Sequence, residues 1–318
     1  MRQGRQVRIT AARVAGHLRQ HLLTQVPPLR ALEDHRRAQR VEAFGPRMPR
    51  LAPGHGPVLA GLEEHGAVAV PLDDLDLPGT AEMKEAATAL RLELAAQPGD
   101  GGHTVGLPRE RVLEHPAVWQ WGLTEPLLDL VENYLGLPAA YHGAAIRCER
   151  ATGRAVGVRQ WHRDVEDHRM LKLLVWLDDV DEHTGPFEYV DRRHTARLTR
   201  ALHYVSGYVD DGRIEQLVPR TEWRRGVGPR WTCVIADPRN VFHRAMPPTR
   251  RDRYSLTFSY LSRSPIRVMP GPPVTARERE LATRGLEPRQ LTCLPRQYGR
   301  VAHHPLPRRS AEPAAPRG

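Results

Sequence analysis

Two histidines and an aspartate give this chain its first chemical suggestion. His162 and Asp164 flank Arg163 in "RQWHRD", and His243 stands in "NVFHRAMPPTRRDRYSLTFSY". Two imidazoles and one carboxylate can occupy one face of an iron(II) ion, leaving three coordination positions for a co-substrate and dioxygen. The triplet is weak by itself: with 16 histidines among 318 residues, chance supplies roughly one His-x-Asp. The surrounding sequence has to decide.

A second pattern supports the first. Arg253-Tyr254-Ser255 follows His243 closely and opens the apolar run "RYSLTFSY". On a strand, Arg253 and Ser255 share one face, while Leu256, Phe258 and Tyr260 share the other. A buried guanidinium beside a hydroxyl can grip a carboxylate, and arginine offers a bidentate fork. The distal carboxylate of 2-oxoglutarate needs such a grip while its keto acid end chelates iron. Three candidate ligands plus Arg-x-Ser are much rarer by chance than His-x-Asp alone.

These residues need a scaffold, and the element pattern suggests one. Residues 1–57 read as a helical N-terminal extension. In it Thr10 is placed to cap a helix carrying Val14, Leu18, Leu22 and Leu23, ended by Pro27-Pro28. A second helix runs from Leu29 to Phe44, and "GPRMPRLAPGHGP" reads as a linker. The core begins near residue 58 with a short strand, Ala67 to Val70. A helix with Met83, Ala87, Leu90 and Leu94 at helical spacing follows. "TEPLLDLVENYLG" is another, with Thr124 at its cap, Pro126 in its first turn and Gly136 at its end. From residue 139 the chain becomes a series of short β-rich runs separated by turns. Helices followed by spaced strands predict a mainly β fold with flanking helices: a sandwich or barrel rather than alternating βαβ units. The expected division is 1–57, 58–265 and a C-terminal segment 266–318 with a partly disordered Pro/Ala/Arg-rich tail. The insert 204–228 is the expected lid or specificity segment.

"WHRD", then "LLVWLDDVDEHTGPFEYV", then "FHRAMPPTRRDRYSLTFSY" resembles the phytanoyl-CoA dioxygenase family over roughly residues 60 to 265. The order of these motifs is specific when taken together. The resemblance implies a double-stranded β-helix (jelly-roll) core and an iron(II), 2-oxoglutarate-dependent dioxygenase. It implies His162, Asp164 and His243 as iron ligands and catalytic centre, with Arg253 and Ser255 on the 2-oxoglutarate side carboxylate. Lys172 falls where ectoine-hydroxylase-like members place a co-substrate-contacting hydroxyl residue; an exposed edge lysine is the alternative. The implied reaction consumes O2, releases succinate and CO2, and hydroxylates an unactivated carbon of a small molecule. Asp164 favours hydroxylation, because related halogenases lack that carboxylate. Desaturation or cyclisation stays open, as does an inactive jelly-roll binding protein. The chain departs from the family where Arg192-Arg193 replace a Gly-Ser pair at the site mouth, which weakens any inference about substrate.

Composition narrows the partners. The formal charge is +10, yet Lys84 and Lys172 are the only lysines, and the arginines are scattered among acids, as in "LRALEDHRR". No zinc-finger, helix-turn-helix or aromatic-plus-basic signature accompanies them, so nucleic acid is not the expected partner. Cys148, Cys233 and Cys293 are isolated and suggest neither disulfides nor a CxxC metal site. No apolar run is long enough for a membrane helix and no secretory h-region is present, so a cytoplasmic location is expected.

Overall fold

A computed structural model describes residues 2–97, 101–267 and 272–298, with side chains from Val14 onward. Two helices open the chain, α1 (Arg2–Gln25) and α2 (Pro27–Phe44). They part at Val26, which is extended, where Pro27 and Pro28 lack the N–H needed to continue. Thr10 does not cap α1: the helix is already running at Arg2, and nothing before Pro27 breaks it. Next come α3 (Gly56–His65), α4 (Thr80–Ala95), α5 (Arg109–Leu113), α6 (Pro116–Trp121) and α7 (Glu125–Leu135). Helix α3 stops at Gly66, whose φ of +83° suits glycine. A Cβ there would also lie 2.6 Å from Val241 Cγ1. Thr124 occupies the cap position of α7, but its hydroxyl donates to Trp121 O (3.0 Å) instead of capping the helix.

The strands are β1 (Ala67–Pro71), β2 (Thr104–Gly106), β3 (Ala139–Glu149), β4 (Leu171–Trp176), β5 (Phe187–Val190), β6 (Arg224–Gly226), β7 (Thr232–Ala236), β8 (Phe242–Ala245) and β9 (Arg253–Ser262). They form a larger sheet in the order β1-β7-β4-β9-β3-β2 and a smaller one in the order β6-β5-β8. All pairings are antiparallel. Beyond β8, a bridge from His162 to His243 adds a fourth segment to the smaller sheet. The inner four strands of the larger sheet, β7-β4-β9-β3, thus face four segments of the smaller. This is the double-sheet arrangement of a jelly roll. Trp176, Val234 and Ala236 of the larger sheet pack with Phe187 and Tyr189 of the smaller between the layers.

Each sheet is also covered on its outside. Met83, Ala87, Leu90 and Leu94 of α4 join Leu173, Ile235, Leu256 and Phe258 in the main core. Over the smaller sheet, Val190 and Phe242 lie under Leu198 of α8 (Arg192–Ala201) and under Val209, Ile214, Val218 and Trp223. Ile214 belongs to α9 (Asp211–Glu215). Most of the insert expected to be a lid or specificity segment is therefore packed over the smaller sheet by its buried apolar residues. Arg244 reinforces it, lying 5.0 Å from the Trp161 ring centre and 5.6 Å from that of Trp223. Its guanidinium meets the fully buried Glu188 at 2.6 Å. Helices α10 (Ala276–Thr283) and α11 (Pro288–Cys293) return to the main core through Leu281, Ala282 and Cys293. The Pro/Ala/Arg-rich tail lies outside the described residues. Among the described residues, no helix is long and apolar enough to cross a membrane.

Candidate metal centre

His162 and His243 are brought together by backbone pairing. Each donates its N–H to the other's carbonyl at 2.9 Å. Their rings then stand with centroids 4.3 Å apart. Nδ1 of His162 lies 2.9 Å from Gln160 O, and Nδ1 of His243 lies 3.2 Å from Val241 O. A proton on each Nδ1 leaves each Nε2 lone pair free to bind a metal, which is how ligating imidazoles are usually oriented. Asp164 lies just past the bridge, fixed by its own N–H donating to Pro238 O (2.9 Å). Its Oδ1 is 3.7 Å from His162 Nε2 and 4.0 Å from His243 Nε2. The three ligand atoms all fall within 4.8 Å of one another. Ligands at right angles on one ion, each at ~2.1 Å, sit about 3 Å apart, so small side-chain rotations close the set.

The loop between β7 and β8 braces this corner. The buried Asp237 accepts from Tyr134 Oη and Asn240 Nδ2, both at 2.6 Å. Arg163 points away from the metal face and donates to Arg239 O at 2.7 Å.

The electrostatics suit a dication. Burial lowers the pKa of both imidazoles, that of His243 to about 3, with the neighbouring His162 adding to the effect. Both are neutral ligands near pH 7. Burial alone would raise the Asp164 pKa. Lys172 and the two imidazoles outweigh it and hold the carboxyl below the ordinary range. Lys172 reaches Asp164 Oδ2 at 2.5 Å. A ligating carboxylate commonly has its second oxygen hydrogen-bonded, and Oδ1 stays turned toward the histidines. The sequence reading put Lys172 on the co-substrate; here its ammonium meets the candidate metal carboxylate.

Arg253 and Ser255 line the same cavity as the triad, and so do Lys172 and Thr257. Register places Ser255 beside Trp176 on β4 and Arg147 on β3. Arg253 is buried over the Trp176 ring, 5.1 Å from its centre, and donates through Nη1 to Gly185 O. Its Nε is buried without a hydrogen-bond partner. An unsatisfied buried guanidinium nitrogen fits an anionic ligand arriving beside it. The donor set and this orphaned nitrogen are compatible with an iron(II) ion and a dicarboxylate co-substrate.

Sequence reasoning did not rank Arg147 or identify Glu149, Val158 and Phe187, which also line the cavity. For the first two, the signal was period-2 alternation on β3, read backwards from Glu149. Glu149 is buried against Arg159 at 2.9 Å.

No family model and no curated protein match the chain. Solved structures do match part of its fold. The apoform of EctD from S. alaskensis is similar at 17% identity and a TM-score of 0.46, covering 65% of this chain and 77% of that one. HygX from Streptomyces hygroscopicus, with nickel, 2-oxoglutarate and hygromycin B bound, is similar at 15% identity and a TM-score of 0.43, covering 64% and 86%. SnoN from nogalamycin biosynthesis, described as a non-heme alpha ketoglutarate dependent epimerase, is similar at 15% identity and a TM-score of 0.39, covering 66% and 83%. Likeness at this level carries no argument about the reaction, which has to come from the site.

Proposed function

We propose that the chain is an iron(II)- and 2-oxoglutarate-dependent oxygenase that hydroxylates an unactivated carbon of a small molecule, with succinate and CO2 as co-products. The observation that carries this reading is the convergence of His162 Nε2, His243 Nε2 and Asp164 Oδ1 in the cavity that Arg253 and Ser255 also face. The catalytic unit is residues 58–265, flanked by the N-terminal helices and the C-terminal segment.

Bound there, iron(II) would supply the Lewis-acid and redox chemistry that couples dioxygen reduction to oxidative decarboxylation of 2-oxoglutarate. The protein's own part is positioning. His162 and His243 offer neutral Nε2 donors, locked by the carbonyls on Nδ1. Asp164 offers Oδ1 while Lys172 holds Oδ2. Arg253 pairs with the distal carboxylate of 2-oxoglutarate, with Ser255 donating beside it. Leu174, Phe187, Ala236 and Ala245 line the space with apolar surface that keeps water from the reacting atoms.

Anaerobic titration with iron(II) and 2-oxoglutarate tests the reading. The expected result is a visible metal-to-ligand charge-transfer band, with succinate released once O2 and a substrate panel are added. Absence of the band, or full turnover by a His162→Ala, Asp164→Ala double variant, overturns it. One observation favours a second reading, a binding protein without turnover. The Lys172–Asp164 pair could stand in for a metal's charge, and that reading expects no band.

A further inference from the structure

Arg147 is a cation in the cavity with nothing to hold. It projects from β3 into the same space as the triad, opposite Ser255 in register, and is solvent-exposed. Its guanidinium makes no hydrogen bond or ion pair among the described residues. Its charge instead opposes those of Lys172 and Arg253. Among the described residues, only Lys172 of these three lining cations has an ion-pair partner.

The other lining charges are accounted for in pairs. Glu149 is held by Arg159 at 2.9 Å and Asp164 by Lys172 at 2.5 Å. Under the function proposed above, on which this inference rests, the metal holds the keto acid end of 2-oxoglutarate and Arg253 its distal carboxylate. Arg147 is the lining cation left without a counter-charge.

Two exposed apolar side chains lie beside the cavity. Val158, 42% exposed, lines the cavity. Tyr208, 52% exposed, sets its ring edge-on to His162 at 5.5 Å. Apolar side chains beside a cavity that also holds polar groups offer contact surface for the apolar part of a ligand. We infer that the substrate is an amphiphilic anion. Its carboxylate or phosphate is gripped by Arg147, and its apolar body lies against Val158 and Tyr208, bringing a carbon to the metal face. Arg147 is then the specificity-determining residue.

Calorimetry on the protein loaded anaerobically with iron(II) and saturating 2-oxoglutarate tests this, using octanoate, octyl phosphate, octan-1-ol and octylamine as probes. At least one of the two anions is expected to bind, and the tighter one names the recognised group. Arg147→Gln is expected to weaken that anion by about tenfold or more, the size of a lost charge-assisted contact, while octan-1-ol and 2-oxoglutarate are unaffected. Arg147→Lys should restore part of the loss, and an unchanged Tm identifies the effect as one of binding. Failure of both anions to bind, equal affinity in Arg147→Gln, tighter binding of octylamine, or loss of 2-oxoglutarate affinity in the variant each overturns the inference. Its failure can be told from failure of the oxygenase reading. Without the charge-transfer band but with Arg147-dependent anion binding, the oxygenase falls and the anion site stands.

Discussion

Along β9, Tyr254, Leu256, Phe258 and Tyr260 join the helix-covered core, whereas Arg253, Ser255 and Thr257 line the cavity between the sheets. The same alternation runs through β3, with Ile146 and Cys148 against Arg147 and Glu149, and through β4, with Leu171 and Leu173 against Lys172 and Leu174. One backbone therefore supports two different tasks. The outer face is almost wholly apolar and holds the helices on. The inner face carries the cavity's charges, two of them in ion pairs with Lys172 and Arg159, beside the apolar packing of Trp176, Val234 and Ala236. A substitution one residue along a strand should change which property fails.

The largest expected effect is on the inner side. Asp164→Ala or His162→Ala should drop substrate-dependent succinate release to background, while thermal denaturation of metal-free His162→Ala stays within a few degrees of wild type. Outer-face truncation should do the reverse. Phe258 is fully buried, with its ring centre 4.8 Å from that of Trp121. Phe258→Ala should cost about 3–5 kcal/mol in urea unfolding yet leave iron(II) affinity of the folded protein unchanged. A stable Phe258→Ala protein with a lost metal site would erase the contrast.

Lys172→Met probes the seam between the two tasks. It strands Asp164 without its ion pair, which should destabilise the metal-free protein by about 1–3 kcal/mol. Added iron(II) or manganese(II) should then raise the variant's Tm by more than it raises wild type's. An equal rise in both would rule out Lys172 as the carboxylate's resting partner.

The smallest effect per step is the pH response. Burial lowers the folded-state pKa values of His142, His162 and His243, to about 4 for His142 and about 3 for His243. In the unfolded chain they titrate near 6.5. Below about pH 6.5 the unfolded chain takes up protons that the folded protein refuses, so stability falls as pH falls toward the folded values. The stabilisation is fully present above that range. Each such histidine contributes up to about 1.4 kcal/mol per pH unit inside its window. Denaturation midpoints of metal-free protein that stay flat between pH 6.5 and 4.5 would contradict this.

The candidate site residues stood out in the sequence because metal and carboxylate binding call for particular residue types. His162, Asp164, His243, Arg253 and Ser255 do meet in one cavity. The period of α4 and the αL glycine after α7 were equally legible, since helix faces and caps are local. What escaped was non-local. Lys172 was aimed at the co-substrate, and nothing in "LKLLVW" reveals that Asp164 Oδ2 would lie within reach. The 204–228 insert reads as a lid or specificity segment because it lies between the strand pair and the His243 strand. Val209, Ile214, Val218 and Trp223, at intervals of five, four and five residues, keep no sustained period, and they are what fasten it. Thr124 lies where a cap belongs, but its hydroxyl found Trp121 O first.

The scarcity of lysine has a practical consequence. Of the two lysines in the sequence, Lys84 pairs with Asp73 on the surface and Lys172 pairs with the candidate metal carboxylate. Amine-directed acylation can therefore serve as a footprint of this one cavity. Slow labelling at Lys172, read by peptide mass spectrometry against Lys84 as an internal standard, reports whether the ammonium is held or released. Any ligand that frees it from Asp164 should speed the reaction, without a substrate being known in advance.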